Sequence, residues 1–300
     1  MIDSSYSRNT HRVYGSAHSA YVAFASQCDI VHQDVQDSQD LSLFMTYLSC
    51  QQKSPNTIIS YGSALIQECK RTYGVNLSTH FVIKRLFRTF RKRRPTDWRL
   101  PMTKQLLEAV LAATTSVCYN AYESALFSGI FSLAFYGMFR ISELVASTCV
   151  SSKLSTSLRK SHIACSKDSN GQYLKVKLTR SKTVQEGPSV DIVIREQQGT
   201  ISCPVLCVKA YKKARPKSIS HYFAHSDGAQ VTTYQVNSVL RKCLQFASVP
   251  NYEYYSSHSF RIGACTALSS KLTEDELKKA GRWKSAAYKS YIRQEVVIPW

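Results

Sequence analysis

The chain has 300 residues, enough for one large domain or two modest ones, each able to bury its own core. An apolar share of 44% with 11% aromatic residues excludes a chain that stays disordered. Thirty-nine Lys and Arg against 20 Asp and Glu give a formal charge of +19, an excess that a merely solvated surface does not need and that points to a polyanionic partner.

Both halves share the excess: residues 1–95 hold 12 basic and 6 acidic residues, and residues 96–300 hold 27 and 14. No apolar run opens the chain, so no signal peptide is expected. The longest apolar stretch, residues 125–139, falls short of the roughly 18 a membrane span needs. Ser128, Gly129 and Ser132 also interrupt it, so it reads as a core helix and no membrane partner is expected. Of ten cysteines only Cys203 and Cys207 lie close together. With no matching second pair, reduced thiols in an intracellular protein are expected rather than a metal site.

Along the first ninety-odd residues the pattern is helical. Residues 10–27 place Tyr14, Ala17, Tyr21 and Phe24 at three- and four-residue steps, and residues 41–50 repeat this with Leu41, Phe44, Met45 and Leu48. Ser54-Pro55 is a helix start, and the helix it opens should run to Tyr73 with Gly74 closing it. A fourth helix over residues 79–94 puts Ile83, Phe87 and Phe90 on one face. Lys84, Arg85, Arg88, Arg91 and Lys92 cover the rest, and Arg93 and Arg94 follow. This basic stretch reads as a solvated face, a nuclear import signal, or a clamp along a phosphate backbone, and these readings are compatible. Arg94-Pro95 and Leu100-Pro101 bracket a stiff connector. The expected organisation is therefore a helical domain over 1–95, a linker over 96–102 and a second domain over 103–300.

Helical signals resume at Thr103 and continue through the 125–139 stretch. A strand is expected near residues 162–165, followed by a hairpin turn at Ser169-Asn170-Gly171. Leu174, Val176 and Leu178 then alternate with polar residues, and after a turn at Gly187-Pro188 so do Val190, Ile192 and Ile194. Helices return from Cys203 onward. The fold class is thus mainly α, with a small antiparallel sheet making the second domain α+β.

Three segments carry candidate chemistry. In Gly137-Met138-Phe139-Arg140-Ile141-Ser142-Glu143-Leu144 an arginine follows a buried apolar run, which is costly unless an anion meets it. Glu143 stands three residues on; an anionic ligand or a plain Arg–Glu pair would equally account for Arg140. In Ser257-His258-Ser259-Phe260-Arg261-Ile262-Gly263, His258 and Arg261 share a helix face, a pattern that alone is weak. In Gly281-Arg282-Trp283-Lys284-Ser285-Ala286-Ala287-Tyr288-Lys289-Ser290-Tyr291-Ile292-Arg293 two tyrosines sit among basic residues, which by itself reads more readily as packing. A capping box, Thr273 with Glu276, opens the short helix before it.

In this order the three segments resemble the tyrosine recombinases, the phage-integrase family, and most nearly the eukaryotic branch carried by DIRS-type and crypton mobile elements. The resemblance covers nearly the whole chain: 1–95 looks like the core-binding domain and 101–293 like the catalytic domain. It implies that Arg140 and Arg261 clamp a scissile phosphate, that Glu143 supports the site, that His258 lies beside the phosphate, that Trp283 fills the position where the family has His or Trp, and that Tyr291 attacks. The family's lysine, on the loop after the second strand, matches Lys182 by topology, with Arg180 nearby. Arg180, Arg282 and Lys284 join the basic residues of 84–94 as expected DNA contacts.

The chemistry suits these residue types. Two guanidiniums match the growing charge on the non-bridging oxygens, and losing one such donor should cost about 10²–10³ in rate. A phenol with a pKa near 10 needs a base or a cationic pocket, a task for His258. Lys182 would protonate the leaving 5′-oxygen. A 3′-phosphotyrosyl product stores the bond energy, so neither a nucleotide nor a metal cofactor is expected. The resemblance further implies double-stranded DNA as partner, a homotetramer on two duplexes, and a nuclear location. Binding without recombination and topoisomerase-like relaxation are the alternatives. Trp283 to Tyr291 is slightly shorter than in prokaryotic members, which keeps Tyr288 as a second candidate nucleophile. The tail with Val296, Val297, Ile298 and Trp300 would dock only weakly on a neighbour.

Overall fold

The structure is a computed structural model that describes residues 8–95, 97–146, 157–179 and 189–293. The chain divides into two compact units, Met1–Asp97 and Trp98–Trp300.

Four helices make the first unit: α1 (Arg8–Gln27), α2 (Ser38–Cys50), α3 (Pro55–Tyr73) and α4 (Phe81–Lys92). Local chemistry sets their ends. Asp37 caps α2 by accepting from the backbone N–H groups of Gln39 and Asp40, and Ser54 caps α3 by accepting from that of Thr57. Pro55 holds the first turn of α3, and Gly74 closes it in the left-handed region at φ +72°. Tyr21 and Phe24 of α1, Phe44 and Met45 of α2, Ile58 and Leu65 of α3, and Ile83, Phe87 and Phe90 of α4 are buried together as one core. Shape as well as area holds it, since Tyr21 meets Phe44 edge to face with ring centroids 5.4 Å apart.

The second unit packs helices around α6 (Ala121–Tyr136), which is apolar on nearly every side because α5 (Lys104–Val117), α8 (Pro204–Ala214) and α10 (Ser257–Ser269) all lie against it. After α6 comes the single turn α7 (Ile141–Leu144); α9 (Thr233–Phe246) packs on α5, and α11 (Glu274–Gly281) follows α10. Strands β1 (Ile163–Asp168), β2 (Gly171–Leu178) and β3 (Val190–Arg195) form an antiparallel sheet in the order β1-β2-β3. Ile163 pairs with Val176, and Leu174 with Ile194. The first hairpin turns on Ser169 and Asn170, with Gly171 at φ +107° opposite Asp168. The expected Gly187-Pro188 turn lies outside the described residues.

Two expectations change. The apolar run at 125–139 is not one helix: α6 stops at Tyr136, and Met138 takes a left-handed backbone at φ +47°. The end of the expected linker belongs to the second unit, because the N–H groups of Leu100 and Met102 donate to the carbonyls of Tyr254 and Ser259. Gly263 permits this contact. A Cβ there would stand 1.7 Å from the Met102 carbonyl oxygen, so the linker backbone lies directly on α10.

Candidate active site

Arg140 sits at the start of α7, where its backbone N–H donates to Glu143 Oε2 at 3.0 Å while its own guanidinium bonds Glu143 Oε1 at 3.1 Å. One carboxylate thereby closes the helix turn and aims the arginine. Arg282 reaches the same carboxylate: its Nη2 lies 3.1 Å from Glu143 Oε2 and also donates to the Met138 carbonyl at 3.0 Å. Its Nη1 donates to the Gly137 carbonyl at 3.0 Å, and its guanidinium lies over Phe139.

Arg261, from the middle of α10, is fully buried at 0% exposure. Its two terminal nitrogens donate to the carbonyls of Met138 and Gly281, and its Nε has no hydrogen-bond partner. The guanidinium stacks on Trp283, 4.4 Å from the ring centroid, and lies 5.5 Å from that of Tyr291. Gly281 makes room for this stack, because a Cβ would overlap the Trp283 ring at 1.7 Å. Burial first, then the charges of Arg140 and Arg282, pull the Arg261 pKa below the usual arginine range, with Glu143 and Tyr291 opposing. Arg282 is pulled down by burial too, with Glu143 countering. Two guanidiniums thus bond one buried carboxylate, and the third, that of Arg261, lies close enough for these charges to act on it. The local excess of two positive charges is costly in a desolvated site and is relieved by an anion.

Tyr291 closes a 3₁₀ turn, Ala286–Tyr291, and is half-buried. Its ring centroid lies 4.9 Å from that of His258 and 5.2 Å from that of Trp283. His258 is in the first turn of α10, where Ser256 caps the helix. Below Tyr291, Thr266 Oγ1 donates to the Tyr291 carbonyl at 3.2 Å and accepts from the Arg293 N–H at 3.1 Å. Tyr288 is the more deeply buried of the two tyrosines. It is 2% exposed, packs beside Trp283, and is pushed up to about 12 by the Glu274 carboxylate and by burial.

Arg140, Glu143, His258, Arg261, Trp283 and Tyr291, spread over 152 positions of sequence, therefore meet in one place. Lys182 and Arg180 lie outside the described residues, as does the apolar tail 296–300. Lys284 is exposed one residue beyond Trp283. Lys84, Arg85, Arg88, Arg91, Lys92, Arg93 and Arg94 are all exposed in the first unit. Arg282, expected as a DNA contact, turns inward to Glu143 with its side chain only 8% exposed. The left-handed backbone at residue 282 (φ +58°), which ends α11, turns it there. The carbonyls of Met138 and Gly281 had no signal in the sequence, since main-chain acceptors carry none. Among the described residues Cys203 and Cys207 gather no metal-ligand group; one such grouping, His18 with Asp34 and Glu68, is partly exposed, with Nδ1 3.4 and 3.6 Å from the carboxylates.

The fold is that of tyrosine recombinases. The chain is similar to a lambda integrase dimer bound to a COC′ core site (TM-score 0.62, 12% identity, covering 98% of this chain and 75% of that one). It is also similar to XerH site-specific recombinase bound to a palindromic difH substrate in a post-cleavage complex (TM-score 0.61, 11% identity, 93% and 75%). A third likeness is to the Tn1549 transposon integrase in complex with transposon right-end DNA (TM-score 0.55, 13% identity, 87% and 82%). No protein-family model matches the sequence, and a comparison with curated proteins finds no match either.

Proposed function

We propose that the chain is a site-specific DNA recombinase that cleaves and rejoins strands through Tyr291. One observation carries the reading: a half-buried tyrosine, a histidine and a guanidinium excess of two charges meet at one point on a recombinase fold. That solved structures of this fold are bound to DNA supports DNA as the substrate. The order of the three motifs supports the eukaryotic DIRS-type and crypton branch, and with it a mobile-element role in the nucleus.

In the proposed step the Tyr291 oxygen attacks the scissile phosphorus, the bond to the 5′-oxygen breaks, and a 3′-phosphotyrosyl link forms. His258, next to the phenol, accepts its proton. Arg140 and Arg261 meet the charge on the non-bridging oxygens, held by Glu143 and Trp283. Lys182 gives a proton to the leaving 5′-oxygen. Attack by the 5′-hydroxyl of a second strand reverses the chemistry, so energy is conserved without ATP. Four copies on two duplexes would exchange strands.

The test is a pool of duplexes with a randomised core, nicked on the 3′ side so that the released 5′-hydroxyl fragment diffuses away. A covalent protein–DNA adduct is expected from the native protein and from Tyr288→Phe, and none from Tyr291→Phe. Binding with no adduct would overturn the enzyme reading in favour of a DNA-binding protein. Adducts that relax supercoils yet never join two duplexes would favour a topoisomerase-like activity.

A further inference from the structure

We infer that Thr266 is a positioning residue for the attacking tyrosine, its one hydroxyl fixing the backbone of residue 291 to the helix that carries His258 and Arg261. The inference rests on the reading of Tyr291 as the nucleophile.

Tyr291 ends a 3₁₀ turn, whose geometry is poorer than that of an α-helix and which seldom sustains a long run. Its position therefore depends on tertiary bonds. Thr266 supplies two of them. Its hydroxyl donates to the carbonyl of Tyr291 at 3.2 Å and accepts from the N–H of Arg293 at 3.1 Å, bracketing Ile292, the residue that follows the tyrosine. A hydroxyl can do both at once, having one donor and two lone pairs. Cys265, the preceding residue, adds only a weak contact at 3.9 Å, and to Tyr288 rather than Tyr291.

The frame matters as much as the bonds. Thr266, His258 and Arg261 all belong to α10, Ser257–Ser269. The distance from the tyrosine backbone to the proton acceptor and to the buried guanidinium is thus set within one rigid element, and the phenol ring needs only its own side-chain torsions to reach the phosphate. Reactions held in a near-attack geometry lose about 10²-fold in rate for a displacement of about 1 Å. A valine at 266 keeps the shape and removes both hydrogen bonds. A serine keeps the hydroxyl and removes only the methyl.

The experiment compares native protein, Thr266→Val and Thr266→Ser on the nicked duplex pool at saturating protein. It measures the single-turnover rate of adduct formation, the DNA dissociation constant and the melting temperature. Thr266→Val should slow adduct formation by about 10- to 100-fold with the dissociation constant unchanged, and Thr266→Ser should stay within about threefold of the native rate. A Thr266→Val rate equal to the native one would overturn the inference while leaving Tyr291 as nucleophile. So would Thr266→Ser slowing as much as Thr266→Val, since the methyl group rather than the hydroxyl would then be responsible. If the native protein forms no adduct, the nucleophile reading itself fails and takes this inference with it.

Discussion

Glu143 is the residue on which the site's charge balance turns. It is 3% exposed at its side chain and holds Arg140 and Arg282 at 3.1 Å each. Buried pairs of this kind add little net stability, yet removing one partner is expensive, so their value is in fixing geometry. Arg282 adds a backbone feature that can be tested separately. At φ +58° its main chain costs about 1–2 kcal/mol for any residue with a Cβ. Arg282→Ala and Arg282→Gly both lose the guanidinium, but only alanine keeps that cost. Urea unfolding should find the glycine variant more stable than the alanine variant by about 1 kcal/mol. The reverse order, which ordinary helix propensity would give, would contradict a left-handed residue 282.

Between elements, the ion pair of Glu123 and His225 ties the first turn of α6 to the segment after α8. Nδ1 lies 2.9 Å from the carboxylate, and the hydrogen bond it donates to Glu123 raises the His225 pKa against the pull of burial. A raised histidine stabilises fully below its unfolded value of about 6.5, and the contribution fades as pH climbs through the higher folded value. His162 and His221 run the other way. Burial and Arg159 hold both low, so they cost stability as pH falls through 6.5 and below. Comparing native protein with Glu123→Gln isolates the first effect. The difference in unfolding free energy should be largest between about pH 5 and 6.5 and shrink on the alkaline side; a constant difference would mean the pair does not titrate.

Elements were legible where the controlling chemistry is local. Ser54 with Pro55 and Gly74 delimit α3, the Thr273–Glu276 box opens α11, and the Asn170-Gly171 turn sets the hairpin. Where a partner distant in sequence decides, the sequence misled. The apolar run past Tyr136 hides the turn at Met138, whose carbonyl takes hydrogen bonds from Arg261 and Arg282, more than 120 residues on. Arg282 reads as one more surface cation because Glu143, its partner, is 139 positions away. The candidate site residues were singled out by motif order, and the structure brings six of them together through contacts that could not be foreseen.

Across the whole molecule, the charge of +19 is carried in part by exposed cations such as Arg85, Arg88 and Arg91 on α4, which buries only Ile83, Phe87 and Phe90. If these lie along phosphates, the affinity for duplex DNA falls steeply with salt, and replacing Arg88 and Arg91 by alanine should lower the slope of log affinity against log salt by about 1.8. An unchanged slope would remove α4 from the interface. The proposal that residues 140 to 291 act on one phosphate is tested most directly by finding which residue carries the DNA. Trypsin separates the two tyrosines, leaving Tyr288 on Ser285-Ala286-Ala287-Tyr288-Lys289 and Tyr291 on Ser290-Tyr291-Ile292-Arg293. Nuclease-trimmed adduct read by mass spectrometry should show a 3′-linked nucleotide on the second peptide alone; a nucleotide on the first, or on any other residue, would contradict it.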